Sequence, residues 1–120
     1  MATVNGVIGK QTITEKSVID DRHPAVIRMK QFKADNGIIP AGEIVAVDAS
    51  GDIVSYDPAS VTTEKTPVGV CAIETDTSKD TIGNVIVHGA VVRASLLTLS
   101  AASTSAEVAA LESNTIIWAF

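Results

Sequence analysis

Apolar residues gather in two runs in the second half of the chain. Thr66-Pro67-Val68-Gly69-Val70-Cys71-Ala72-Ile73-Glu74 reads as a buried strand opened by a proline. After a polar interval at residues 75–79, Asn84-Val85-Ile86-Val87-His88-Gly89-Ala90-Val91-Val92-Arg93 reads as a second, longer strand. Runs this rich in Val and Ile, bounded by Pro, Asp, Ser and Gly, are strand signals. Neither run alternates cleanly between apolar and polar positions. Such strands need cover on both faces, as in the core of a small barrel or sandwich. Gly89 interrupts the longer run, and a glycine there marks a bulge or the close approach of another backbone.

The remaining pattern supplies shorter elements. Residues 25–34 interleave Val26, Ile27, Met29 and Phe32 with Arg28, Lys30 and Lys33. The proline before them and the β-branched opening favour an exposed strand over a helix. Asp35-Asn36-Gly37 signals a turn, and Ile38-Ile39-Pro40-Ala41-Gly42 a second break. Two apolar stretches, 43–48 and 53–56, flank Ala49-Ser50-Gly51-Asp52 and form a predicted hairpin. A polar loop covers residues 57–66. Thr104-Ser105-Ala106-Glu107 fits a capping box, so a short helix of one or two turns follows and ends near Asn114. Residues 114–120 are apolar and end on Trp118 and Phe120. A tail of this kind is either a last core strand or a subunit contact.

Residues 1–24 are the least domain-like part. Their apolar residues are sparse, Gly6 and Gly9 discourage a helix, and no turn chemistry closes a hairpin. Two readings stand: an extended arm that adds a strand to a partner's sheet, or a first strand packed on its own domain. The expected division is an arm at 1–24 and a compact β-rich domain at 25–120.

Composition sharpens this picture. Hydrophobic residues make up 46% of the 120 residues and aromatics only 3%, so the core is built from Val, Ile, Ala and Leu. Few aromatics and a net charge of −5 argue against a nucleic-acid surface. Charge is unevenly placed. Residues 1–33 hold six Lys or Arg against three acids, about +3, and the rest hold about −8. A basic front on an acidic body suits a segment that docks, or a self-compensating surface. No apolar run reaches the ~20 residues of a membrane helix, and no secretory leader pattern opens the chain. A soluble protein is expected.

Candidate chemistry is thin. Cys71 lies in an apolar run and reads as a buried, inert thiol. His88 sits mid-strand as a packing residue, His23 precedes a proline, and no zinc spacing is present. Asp48, Asp52 and Asp57 read as turn formers and not as a calcium loop. No nucleophile elbow, phosphate loop or dinucleotide fingerprint appears. An enzyme is disfavoured, and a hydrolase pairing His88 with a serine or Cys71 is the residual catalytic option. No cofactor and no metal are expected.

Four segments carry a resemblance: Ile39-Pro40-Ala41-Gly42-Glu43-Ile44-Val45-Ala46-Val47-Asp48, Gly51-Asp52-Ile53-Val54-Ser55-Tyr56, Pro67-Val68-Gly69-Val70-Cys71-Ala72-Ile73 and Val87-His88-Gly89-Ala90-Val91-Val92-Arg93. In order and spacing they resemble the head decoration proteins of tailed bacteriophages, the phage lambda decoration-protein-like family, across roughly half the chain, residues 39–97. The resemblance implies a mainly β fold, a small β-tulip or β-clip-like barrel, with one short helix near the C-terminus and an extended N-terminal arm. It implies homotrimers at local three-fold sites on the outside of the expanded capsid, made in the host cytoplasm and carried on the virion. The partners are then the major capsid protein and the chain itself, with no direct nucleic acid and no membrane. Val4, Val7, Ile8, Lys10, Ile13, Lys16, Val18 and Ile19 are the expected capsid-facing residues of the arm, and Trp118 and Phe120 the expected trimer contacts. The alternative is a β-clip module that binds a ligand or carbohydrate.

Overall fold

The computed structural model describes residues 18–120. Val4, Val7, Ile8, Lys10, Ile13 and Lys16 lie outside the described residues. Ten strands and one helix follow in chain order: β1 (Val26–Gln31), β2 (Ile38–Ile39), β3 (Ile44–Val47), β4 (Ile53–Ser55), β5 (Gly69–Cys71), β6 (Thr75–Asp76), β7 (Ile82–Val91), β8 (Leu97–Thr98), β9 (Ala101–Ala102), α1 (Ser105–Asn114) and β10 (Ile116–Ala119). The chain is mainly β with one short helix near its C-terminus.

The main sheet runs β1-β7-β5-β3-β4, with β10 also on β7. β7, the longer apolar run, is the hub. Its first half is flanked by β1 and β5, both antiparallel. Its second half is flanked by β10, which is parallel, and by residues 18–20. Burial explains why this run does not alternate: Val85 belongs to one core cluster, the lower core with Phe32 and Val45, and Ile86 and Val91 to another, the upper core with Ile44 and Ile117, on opposite faces of the sheet.

Of the two readings of Gly89, a bulge or a close backbone approach, the approach is the one found there, and the bulge lies two residues earlier, at Val87. Val26 pairs His88 and Ile27 pairs Ile86, so β7 carries an extra residue against β1. Gly89 has φ +121°, and a Cβ there would stand 2.6 Å from the Pro24 carbonyl oxygen. Both features require glycine. Gly83 is bound to packing in another way: a Cβ there would meet the Phe32 ring at 2.6 Å. Phe32 is fully buried and plugs the lower core.

The barrel expected from the sequence does not close. β4 and the end of β1 touch at a single parallel bridge, Phe32 to Ile53, with the Lys33 N–H donating to the Ile53 carbonyl at 3.0 Å. Among the described residues no other pairing joins β1 to β4. The run at 66–74 is also shorter as a strand than its composition suggests, because only Gly69–Cys71 is strand, and within it Val70 alone has a partner on each side. Ile38–Ile39, read as a break, is a short strand that pairs Thr75–Asp76. Pairing with a distant partner outweighs the local Gly and Pro signals there.

The predicted hairpin forms as β3–β4, closed by Asp48, whose carboxylate accepts from the Ser50 and Asp52 amides at 2.8 and 3.0 Å. The capping box forms too: Thr104 Oγ1 accepts from the Glu107 N–H, and the Glu107 carboxylate accepts from the Thr104 N–H. The helix continues through Asn114, longer than the two turns expected, and buries Val108 and Leu111 against the upper core. Among the described residues, no helix is long and apolar enough to cross a membrane.

Candidate docking surface

The root of the N-terminal segment is fixed to the fold. Val18 is 3% exposed and belongs to the upper core. The Val92 N–H donates to the Val18 carbonyl at 2.8 Å, and the Asp20 N–H to the Ala90 carbonyl at 3.0 Å. Ile19 bridges Val91. The compact body therefore includes residues 18–24, and its start lies ahead of the expected boundary at 25. Of the two arm residues within the described chain, Val18 is sealed in the core and Ile19 stays 37% exposed. At residues 18–20 the reading of a first strand packed on its own domain is therefore the one that holds.

Beside this root lies an aromatic cluster drawn from three elements. The His23 and His88 rings are 5.1 Å apart between centroids, and Trp118 lies 5.2 Å from the first and 5.7 Å from the second. His23 is held by a hydrogen bond from Nδ1 to the Pro24 carbonyl at 2.9 Å. A carbonyl oxygen only accepts, so Nδ1 carries the proton in that contact. Arg22 reaches back over Phe120, with Cζ 4.6 Å from the ring centroid, and pairs Asp20 at 3.6 Å. That geometry is a cation–π contact at an exposed site. His88, expected as a packing residue, packs on aromatic rings.

β10 explains the placement of the tail. Ile117 faces the upper core and is fully buried, so Ile116 and Trp118 point to the other face. Trp118 is 40% exposed and Phe120 50%. With Val26 and Ile116 flanking His88 across the strands, they form a continuous apolar and aromatic surface.

Cys71 and the acids complete the inventory. Cys71 is fully buried, and burial pushes its thiol up to about 11. Burial also raises the Tyr56 phenol, with Glu107 and Asp57 adding to the shift. Asp48 and Asp57 accept amide hydrogen bonds within their own turns. Among the described residues, no three His, Cys, Asp or Glu gather as metal ligands. Glu43 is 1% exposed and is a buried carboxylate the sequence pattern did not single out. Its oxygens accept from Ser55 Oγ and, at 2.7 Å, from the Ser100 N–H. It ties the β8–β9 turn to β3 and β4.

No family model and no curated protein matches the chain.

Proposed function

We propose that this protein decorates the outside of an expanded phage capsid as a homotrimer and stabilises the shell against internal DNA pressure. The small β fold is then a β-tulip or β-clip variant whose barrel is left open. The observation that carries the reading is the gathering of Ile19, Ile116, Trp118 and Phe120, all substantially exposed, around the point where residues 1–17 join the fold. Large exposed apolar side chains in a cluster mark an interaction surface. In this reading Trp118 and Phe120 meet neighbouring copies, and residues 1–17 reach the major capsid protein.

The mechanism is linkage. A protein that binds only the assembled, expanded shell stabilises it by the free energy of binding. Three arms on one trimer raise the effective concentration of each at its site, so modest contacts sum to firm attachment. No bond is made or broken.

The test removes residues 1–17 and keeps Val18, which the core requires. The truncated protein should unfold at the same temperature, sediment as the same oligomer, and lose binding to expanded capsids. Full capsid binding by the truncated protein would overturn the reading. A carbohydrate-binding module is the second reading, favoured by the half-exposed Trp118 indole beside two imidazoles, a surface on which a sugar ring could stack. Specific binding on a glycan array, without capsid binding, separates the two.

A further inference from the structure

We infer that the outward edge of β1 accepts an extended segment of another protein whose side chains alternate acidic and apolar. This strand would fill the gap between β1 and the β3–β4 hairpin that keeps the barrel open.

Backbone direction is fixed by two hydrogen bonds. The Phe32 N–H donates to Thr81 on the β7 side, and the Lys33 N–H donates across to Ile53 of β4. Amides alternate along a strand, so Arg28 and Lys30 bond β7 while Ile27, Met29 and Gln31 point outward. Among the described residues no backbone group pairs with those three amides, and all six β1 residues are exposed. An edge this open, carrying apolar side chains, invites strand addition.

Side chains set the chemistry of the guest. Arg28 and Lys30 share the face of Val85 and Gly83, their partners on β7. That face looks into a cleft of about 230 Å³ lined by Val47, Ile53, Val68, Val85 and Val87, with Lys30 at its rim. Ile27 and Met29 occupy the other face, 44% and 72% exposed. Directly opposed residues on paired strands share a face. A guest strand thus places acids against Arg28 and Lys30 and apolar residues against Ile27 and Met29. Glutamate suits the cleft face, because its methylenes can lie on the valines while its carboxylate meets the cations.

Charge also selects among occupants. Among the described residues, no carboxylate lies within ion-pair distance of Arg28, Lys30 or Lys33. A second copy pairing β1 to β1 would set Arg28 against Lys30, like charges directly opposed. The chain's own residues 1–17 carry Lys10 and Lys16 against Glu15 and lack the acidic alternation. Neither the edge nor its charge depends on what the protein decorates, and the probe below needs no capsid.

The probe is a short blocked peptide alternating Glu and Val, with a Lys–Val peptide as control, added to the full chain. The Glu peptide should bind, bind more weakly as salt rises, and slow amide exchange at Ile27, Met29 and Gln31. The Lys peptide should bind at least about tenfold more weakly. The double variant Arg28→Glu, Lys30→Glu alters only exposed side chains and should reverse the preference while keeping the circular dichroism of the parent. Equal binding of both peptides, or none, would overturn the inference. So would slow exchange at the three amides in the free chain that is lost when residues 1–17 are removed. Self-association of the free chain that slows exchange at the same three amides would overturn it in favour of a second copy.

Discussion

On the helix side of the main sheet, Val108, Leu111 and Leu96 close over Ile44, Val70, Ile86 and Ile117, and the cover runs out only at the β1 edge, where Ile27 and Met29 stay exposed. On the opposite side, Phe32 and Ile39 cover only part of the sheet, and Val47, Val68 and Val87 remain half-buried beside an open edge. One face is completed by the chain's own elements. The other stops short, and the two faces divide the work. Stability is concentrated where the helix docks, and the surface left unfinished is the one a partner can complete.

The largest expected effect falls on the sealed face. Leu111→Ala removes a side chain with no exposure, and large-to-small changes in such sites cost ~2–5 kcal/mol. Urea denaturation of the variant should show that loss with an unchanged m-value. A loss under ~1 kcal/mol would mean that this face is looser than its packing indicates.

An intermediate effect tests the buried part of the opposite face, where Cys71 packs with Phe32 and Val85. Its thiol stays protonated in the fold up to about 11, against an ordinary value near 9.0, because burial disfavours the thiolate. The raised value makes the folded state hold its proton when the unfolded chain has released it. Stability is therefore intact below pH ~9 and falls between pH ~9 and ~11, by on the order of 2 kcal/mol. Cys71→Ala should flatten that slope in a pH series of denaturation curves. Burial raises Tyr56 in the same direction, so a part of the decline should persist.

The smallest effect is expected on the open edge. Met29 is 72% exposed, and Met29→Gln should change stability by no more than ~0.5 kcal/mol. A larger loss in thermal unfolding would show that β1 is already covered in the free protein, and the contrast between the packed centre and the open edge would fail.

Much of the sealed side was legible in the sequence. Thr104 and Glu107 announce the helix, because a capping box is a local pattern. Gly89 announces the close approach of the Pro24 backbone, because a residue without Cβ in a Val-rich run needs a reason. Asp48 and Gly51 announce the β3–β4 turn. What escaped depends on partners far along the chain. Ile38–Ile39 becomes a strand only because Thr75–Asp76 arrives beside it. Pairing of β10 parallel to β7 has no local signature, and the two histidines meet Trp118 only because that pairing and the docking of residues 18–20 on β7 coincide. Barrel closure escaped for a different reason. Apolar residues on both faces of β7 call for cover, yet they do not say whether it comes from the same chain.

The turn between β8 and β9 holds Leu99 at φ +50° and Ser100 at φ +67°, a shape that side-chain-bearing residues rarely take unaided. Its template is Glu43, 57 positions earlier, whose carboxylate grips the Ser100 amide from inside the protein. Residues 97–102 are therefore not a portable module. Grafted onto a foreign scaffold without a matching acid beneath, the loop would relax into some other form, and only transplanting both pieces together would carry its contour along.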